Sequence, residues 1–199
     1  MTAVDPIVPE PALPEPAAPE PASPSSAAPE IRELDVEAYR AAIPGLVELT
    51  LDAVADGASI NFMSDATADE VRAWWESRTA PVEAGLISPF VGFLDGRVVG
   101  SVLLIRSGNQ NSPHRAEIGK VIVRREARRQ GLATALMLAA EAAARASGRW
   151  LLVLDTVTGS AADAMYRALG WQETGVVPDY ALLTDGRPWP ATFFWKDLR

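Results

Sequence analysis

After its first thirty residues, the chain alternates between segments with strand-like and helix-like spacing of apolar positions. Ile31–Leu34 has the pattern of a short first strand, and Pro44–Ala55 carries its apolar residues at helical spacing. Thr67–Arg78 follows as a second helix. Thr67 is its predicted N-cap because Glu70, three residues later, completes a capping box.

Most of the predicted strands lie from Phe90 onward. Its predicted strands are Phe90–Leu94, Val98–Ile105, Arg115–Val123, Trp150–Asp155, Trp171–Val177 and Ala191–Trp195. Two helices are predicted between them, one from Gly131 to about Ala146 and one at Asp163–Leu169. A strand–helix–strand crossover implies a central parallel pair, whereas the flanking hairpins are antiparallel. The predicted fold class is therefore α/β, with a mixed, mostly antiparallel sheet.

Composition divides the chain into two parts. Residues 1–30 hold nine of the sixteen prolines, five acidic residues and no Lys or Arg. Few bulky apolar groups are present there to bury, so this segment is predicted to be a disordered, partly polyproline-II tail. Residues 31–199 form the predicted folded domain.

Several classes of protein are disfavoured by composition. The chain has no Cys and one His, so neither a disulfide nor a metal site is expected. No apolar run is long enough to span a membrane, and no secretory signal is recognised, which favours the cytoplasm. The net charge of −8 argues against a nucleic-acid partner.

An apolar strand, an arginine-rich turn and an alanine-rich helix follow one another between residues 121 and 137. The N-terminus of a helix carries unpaired N–H groups and partial positive charge, which makes it a site for anions. Gly131 and Ala133 offer little bulk where a ligand would approach the backbone. Four arginines at positions 124–129 add positive potential. The stretch predicts a phosphate-binding turn; the alternative is an ordinary turn with a solvated arginine run.

These motifs resemble the GNAT superfamily, the acetyl-CoA-dependent N-acetyltransferases. The family signature is Arg or Gln, two residues, Gly, one residue, then Gly or Ala. It stands here as Arg128-Arg129-Gln130-Gly131-Leu132-Ala133. A second family block matches Ala162, Tyr166 and Leu169-Gly170-Trp171. The sequences of residues 114–117, 152–156 and 166–171 are also similar to those of the tabtoxin-resistance type of acetyltransferase.

The resemblance implies an acetyltransferase domain over residues 31–199, with helices on both faces of the sheet and acetyl-CoA as co-substrate. It implies that the amides from Arg129 to Thr134 hold the pyrophosphate and that the backbone of Val121–Val123 pairs with the pantetheine. The implied cofactor-binding residues are Val121, Ile122, Val123, Arg128, Arg129, Gln130, Gly131, Leu132, Ala133 and Thr134. Gly159 departs from the family, many members of which have an asparagine there; Thr158 and Ser160 are candidate replacements.

Three residues are candidates for catalysis. Tyr166 is the candidate general acid, since a phenol can protonate a departing thiolate; the alternative is a core tyrosine. Glu117 is the candidate base, as a carboxylate desolvated in an apolar strand; the alternative is a structural ion pair, with Arg115 for example. Asp155 ends a predicted strand, where it would recognise the acceptor amine or cap the next segment.

Three aromatic side chains are further candidates for the acceptor site. Trp74 and Trp75 could line a pocket, but neighbouring positions on a helix point about 100° apart, so one of them is expected in the core. His114 follows a loop rich in Gly, Asn, Ser and Pro, which favours a surface role.

The predicted function is transfer of an acetyl group from acetyl-CoA directly to a primary amine of a small molecule, with amino-acid-like antibiotics or toxins among the candidates. A protein N-terminus or lysine is an alternative acceptor, because the loops around 57–80 and 178–190 carry no readable pattern. A non-catalytic acyl-CoA-binding sensor is an alternative from another class, supported only by Gly159. The closing strands could pair between subunits, which would make a homodimer.

Overall fold

The computed structural model describes residues 28–199. These residues form a seven-stranded sheet in the order β1-β2-β3-β4-β5-β7-β6, with α-helices packed against it. The strands are β1 (Glu30–Glu33), β2 (Ile87–Leu94), β3 (Arg97–Arg106), β4 (Arg115–Val123), β5 (Leu151–Val157), β6 (Gln172–Leu182) and β7 (Pro188–Asp197). The helices are α1 (Val36–Ala55), α2 (Ala68–Glu76), α3 (Thr79–Glu83), α4 (Leu132–Ala146) and α5 (Ala161–Ala168).

The predicted proline-rich tail falls almost entirely outside the described residues, which begin at position 28. The first strand begins at Glu30, one residue before its predicted start. Within residues 28–199, no helix combines the length and apolarity that crossing a bilayer requires.

Strand pairing confirms the predicted mixed sheet. β4 and β5 run parallel, and every other neighbouring pair of described strands is antiparallel. The parallel pair lies at the centre of the sheet because α4 carries the chain from the end of β4 to the start of β5. This crossover is the one that the sequence pattern predicts.

Each face of the sheet buries its own apolar core. On one face, α4 and α5 cover a core that includes Leu136, Met137 and Phe194. On the other face, α1 to α3 cover a second core that includes Leu46 and Trp75. Helices therefore lie on both faces, as expected.

Helix α1 is longer than predicted. It begins at Val36 instead of Pro44, and the Asp35 carboxylate caps it by accepting a 2.8 Å hydrogen bond from the amide of Ala38. Proline has no N–H to donate and usually stands in the first turn of a helix, which is why the prediction began there. Burial of Tyr39 and other residues of the added turns stabilises the helix across the proline.

Helix α2 confirms the predicted capping box. The Thr67 amide donates to Glu70 Oε2 at 2.8 Å, and the Glu70 amide donates to Thr67 Oγ1 at 3.3 Å. The helix ends at Glu76, and the short helix α3 follows it, which the periodicity did not predict.

Candidate active site

β4 and β5 separate soon after they begin to pair. Their parallel ladder covers only Arg115–Glu117 against Leu151–Val153. Beyond this point the two strands diverge, and a cleft of about 390 Å³ opens between them. The cleft is lined by residues 117–121 of β4, residues 155–157 of β5, and parts of α2, α5, β6 and β7. A sheet that opens at its centre can admit a ligand that pairs with a strand edge.

A β-bulge lies in β4 at the edge of this cleft. Leu103 of β3 pairs with Gly119 and Ser101 pairs with Ile122, so Lys120 and Val121 together oppose a single residue of β3. Lys120 has a φ of +50°, unusual for a residue with a side chain. The Ser101 hydroxyl braces the bulge by donating a 2.9 Å hydrogen bond to the Lys120 carbonyl. The bulge therefore leaves backbone groups of β4 unpaired with β3.

The bulge also reverses which face of the sheet each side chain meets. Before it, Ala116 and Ile118 pack under α4. After it, Ile122 packs on the opposite face under α1, while Val121 and Val123 contact the α4 core. One inserted residue shifts the alternation of a strand by one position. The spacing of apolar residues in the sequence does not predict this bulge.

The three candidate catalytic residues meet in the cleft: Glu117, Asp155 and Tyr166 all line it. Glu117 and Asp155 extend from the sheet on the same face, since Glu117 pairs with Val153 and Asp155 stands two residues further along β5. No ion pair within residues 28–199 includes Glu117, so the predicted alternative of a pair with Arg115 is not formed.

The two carboxylates share an environment that disfavours their charge. Partial burial within the cleft, and then the charge of Asp155, raise the pKa of Glu117, while Arg115 and Lys120 act in the opposite direction. Partial burial raises the pKa of Asp155 as well, against the attraction of Lys120. A carboxylate with a raised pKa is a stronger base when ionised, which suits proton abstraction from an ammonium group.

Tyr166 is both a core residue and a cleft residue. Its side chain is 4% exposed, with ring centroids 6.0 Å from Trp171 and 6.1 Å from Phe194. Burial, and then the charge of Asp155, raise the pKa of the phenol. The hydroxyl is therefore protonated at neutral pH, as a general acid must be.

The structure adds Lys120, which sequence reasoning missed. Its Nζ donates a 2.7 Å hydrogen bond to the Ile60 carbonyl and lies 4.5 Å from the ring centroid of Trp74. Burial, and then the charge of Arg78, lower the pKa of Lys120 to about 8, against the attraction of Asp155 and Glu117. The sequence signal for this residue is a lysine placed directly before the apolar residues Val121–Val123 of β4.

The predicted phosphate-binding turn lies between β4 and α4. Arg129 has a φ of +60° and Gly131 a φ of +82°, so the amides of the turn do not follow a regular helix. Successive amides in such a conformation form an anion-binding concavity at the start of α4. A Cβ added to Gly131 would meet no atom within 4 Å, so the space beside the turn is open. Leu132 is buried in the core below the turn, whereas Ala133 and Thr134 are half-buried.

Three of the four arginines in the turn form ion pairs with carboxylates. Arginines 124, 125 and 128 form ion pairs with Glu48, Asp52 and Asp56, which follow one another at four-residue spacing along α1 and at its C-cap. Within residues 28–199, Arg129 forms no ion pair. The carboxylates therefore offset part of the positive potential expected from three of the four arginines.

Two segments without a readable sequence pattern form one side of the cleft. Residues 57–61 line it after the end of α1, and residues 180, 181, 183 and 189–191 line it from the β6–β7 hairpin. The segments bond to each other, since the Ser59 hydroxyl donates to the Leu182 carbonyl at 3.0 Å and the Ser64 amide donates to the Thr184 carbonyl at 3.1 Å.

The two tryptophans of α2 divide as expected. Trp74 lines the cleft. Trp75 is fully buried, and its indole N–H donates to the Thr50 hydroxyl at 3.0 Å.

The sequence of the chain matches one known protein family. The family described as "Acetyltransferase (GNAT) family" matches residues 51–171, more than half of the chain. The chain belongs to the GNAT family. It is an acetyl-CoA-dependent acyltransferase, as the sequence motifs indicated.

Solved structures of similar proteins share the GNAT fold with this chain. The ribosomal-protein-alanine N-acetyltransferase from Brucella melitensis is 24% identical over 85% of this chain and 99% of its own, with a TM-score of 0.69. An N-acetyltransferase from Staphylococcus aureus Mu50 is 19% identical over 87% and 100%, with a TM-score of 0.70. A Salmonella typhimurium protein, solved with its cofactor acetyl-CoA, is 22% identical over 87% and 95%, with a TM-score of 0.68.

The asparagine position of the GNAT family is occupied here by a turn glycine. Gly159 has a φ of +76°, and its amide donates to Asp163 at 2.8 Å. Both candidate replacements have other partners: Thr158 shares a 2.8 Å hydrogen bond with Thr192, and the Ser160 hydroxyl caps α5 by accepting from Asp163. Ser160 also lines the cleft and is the better placed of the two.

His114 does not line the cleft of this GNAT enzyme. It stacks on Trp150, with ring centroids 4.3 Å apart, at the opposite end of β4 from the phosphate-binding turn. The sequence favours a surface role for His114, and in the structure the residue is half-buried.

Proposed function

We propose that this enzyme transfers the acetyl group of acetyl-CoA directly to the primary amine of a small molecule, with amino-acid-like antibiotics or toxins among the candidate acceptors. The observation that carries the proposal is the meeting of Glu117, Asp155 and Tyr166 in a cleft between diverging strands. Two carboxylates attract an ammonium group, and a buried protonated phenol supplies a proton.

Two observations support the binding of acetyl-CoA by this chain. The edge of β4 beyond Glu117 has no partner on β5, so the backbone of Val121, Ile122 and Val123 can pair with a pantetheine arm. The open space at Gly131 leaves room for a pyrophosphate against the amides of Arg129 to Thr134, with Arg128 and Gln130 shaping the turn. Arg128 does so by donating to the Val123 carbonyl, and Gln130 by donating to the Glu126 carbonyl.

Each chemical task has a residue in the cleft. Glu117 takes a proton from the acceptor ammonium, directly or through water, and Asp155 attracts that ammonium. An amide of the Lys120–Val121 bulge, which has no partner on β3, donates to the carbonyl oxygen that becomes negative during attack. Tyr166 protonates the departing thiolate. The direct route is proposed because the chain has no Cys to carry an acetyl group.

The volume of the cleft and the contacts between its walls favour a small acceptor. A volume of about 390 Å³ is typical of small-molecule sites. The hydrogen bonds between the two wall loops narrow the acceptor side, where an extended peptide would need an open groove. The Brucella melitensis neighbour is named for acetylation of a ribosomal protein's alanine, so a protein N-terminus is the competing acceptor.

The test is a thiol-release assay with acetyl-CoA against two panels, one of small primary amines and amino-acid antibiotics and one of peptides with free N-termini or lysines. We expect thiol release with members of the first panel. Release only with peptides would contradict the small-molecule proposal. Tight calorimetric binding of acetyl-CoA with no release on either panel would identify the sensor alternative.

We also propose that the enzyme works in the cytoplasm, without a nucleic-acid or membrane partner, as a homodimer. β6 is an edge strand that exposes Val176, Val177, Tyr180 and Leu182 by 43–50% each. Edge strands with apolar side chains favour association. Sedimentation of the purified enzyme, with Val176→Lys as the comparison, tests the dimer; a monomer at high concentration contradicts it.

A further inference from the structure

The chain contains only two lysines, Lys120 and Lys196, among eighteen basic residues. Lys196 is fully engaged on the far side of the sheet from the acceptor wall. Its Nζ donates to the buried Glu141 carboxylate at 2.7 Å and to the Leu169 carbonyl at 2.8 Å. An amine held in such an ion pair is a poor nucleophile.

Lys120 lies in a different environment. It lines the cleft together with Glu117, Asp155 and Tyr166, and it forms no ion pair within residues 28–199. The Ile60 carbonyl and the face of Trp74 hold its Nζ. The charged groups facing it are Arg78, the N-cap residue of α3, and the two carboxylates.

Part of the Lys120 population is a neutral amine at mildly alkaline pH. Its pKa of about 8 results first from burial and then from the charge of Arg78. The neutral fraction of this side chain is therefore larger than that of an ordinary lysine, which is almost wholly charged at such a pH.

We propose that Lys120 is an internal acetyl acceptor, modified at Nζ by the enzyme's own acetyl-CoA when no amine occupies the cleft. The inference rests on the proposed function, which runs the pantetheine along Val121–Val123 and so brings the thioester beside the bulge. The amine, the base and the acid that the transfer needs are then all present in one cleft.

The step balances without any further reagent. The neutral Nζ attacks the thioester carbonyl carbon, a C–N bond forms and the C–S bond breaks. The proton that the nitrogen loses passes to Glu117, and Tyr166 supplies a proton to the departing thiolate. The products are one acetyl-lysine and one free coenzyme A per chain.

The modification would block the site. Acetyl-Lys120 is neutral, so it no longer offers Glu117 and Asp155 an opposite charge, and its acetyl group occupies acceptor space beside Trp74. Modified enzyme should therefore turn over amines more slowly than unmodified enzyme.

The experiment incubates the full-length wild-type enzyme at pH 8 with ¹³C-labelled acetyl-CoA and no amine, followed by intact-mass analysis and peptide mapping. We expect a single acetyl group on Lys120, an unmodified Lys196, and thiol release that stops at one equivalent. Lys120→Arg keeps the charge without a usable nucleophile and should take up no acetyl group. Lys196→Arg, the matched control, should be acetylated like the wild type.

Tyr166→Phe separates enzymatic from chemical acetylation. It should slow modification of Lys120 strongly, whereas adventitious acetylation of the N-terminal amine or of unfolded chain should be unaffected. An unmodified Lys120 in enzyme that calorimetry shows to be loaded with acetyl-CoA overturns the inference but leaves the proposed function intact. Equal modification of Lys196 also overturns it. Failure to bind acetyl-CoA at all would refute the proposed function itself.

Discussion

Ser101 and Lys120 are joined across β3 and β4 by a 2.9 Å hydrogen bond from the Ser101 hydroxyl to the Lys120 carbonyl. Ser101 is fully buried, so its loss leaves that carbonyl without this partner. We predict that Ser101→Ala lowers the free energy of unfolding by about 1–2 kcal/mol and also slows amine acetylation, because the bulge loses its brace. Urea unfolding and the thiol-release assay measure the two effects.

Ser112→Ala is the matched control for this change. Ser112 is also buried, and its hydroxyl shares a 2.7 Å hydrogen bond with Ser107, but it does not line the cleft. A similar loss of stability with normal turnover is expected. If Ser101→Ala also turns over normally, the bulge does not depend on the serine.

Two buried tyrosines should respond in opposite ways to removal of the hydroxyl. Tyr166→Phe is predicted to reduce thiol release about a hundredfold or more, with unchanged calorimetric affinity for coenzyme A, because the general acid is lost. Tyr39 lies outside the cleft, and its hydroxyl donates to the Trp75 carbonyl at 2.7 Å. Tyr39→Phe should therefore lower the free energy of unfolding by about 1 kcal/mol and leave turnover in place. Normal turnover by Tyr166→Phe would show that another group protonates the thiolate.

The order of elements could be predicted from the sequence because each element carries its own periodicity. β4 is predicted at its observed bounds, Arg115–Val123, since it is bounded by a turn on either side. Its bulge could not be predicted in this way, because a bulge is a relation between the registers of two strands. Lys120 was missed for the same reason: its direction depends on the inserted residue.

The row of ion pairs between α1 and the arginine-rich turn could have been predicted from the sequence. Glu48 and Asp52 stand four residues apart in the predicted helix Pro44–Ala55, and Asp56 follows directly after its end at the same spacing, which places the three on one face. That pattern indicates a row of carboxylates able to neutralise arginines. The contact between residues 57–64 and the β6–β7 hairpin could not be predicted from the sequence, because these segments meet only in the tertiary fold and their hydrogen bonds are accepted by backbone carbonyls.

The raised pKa of Glu117 gives a stability effect of defined sign. The carboxyl of Glu117 binds its proton more tightly in the folded state than in the unfolded state. The stabilisation that results is complete below the unfolded pKa and is lost as the pH rises through the folded pKa. Glu117→Gln is therefore predicted to have a higher Tm than the wild type at pH 7, and the difference should vanish below about pH 4. The same variant should turn over slowly and lose the acid limb of the pH–rate profile.

Glu76→Gln is the control for this prediction, since Glu76 is exposed on α2 and lies outside the cleft. Its Tm and pH–rate profile should match the wild type. A lower Tm for Glu117→Gln at pH 7 would mean that the carboxylate stabilises the fold.

Arginines of the turn should differ in their effect on coenzyme binding. Arg129 is exposed and forms no ion pair within residues 28–199, whereas Arg125 is paired with Asp52 at 2.9 Å. We predict that Arg129→Ala weakens coenzyme A binding about tenfold, the loss expected for a charge-assisted contact to phosphate. Arg125→Ala should change the affinity less than about twofold. Calorimetry at two salt concentrations measures both, and equal losses would contradict the assignment of Arg129.

The buried pair of Glu141 and Lys196 should couple strongly in stability. Glu141 is 5% exposed and accepts hydrogen bonds from the Trp171 indole at 3.0 Å and from Lys196 at 2.7 Å. Glu141→Leu leaves the lysine charge partly buried without its partner, and a loss of about 3–5 kcal/mol is expected. Glu141→Leu combined with Lys196→Met removes both charges and should lose much less than the sum of the single changes. Urea unfolding of the four proteins gives the coupling energy, and additive losses would show that the two charges act independently.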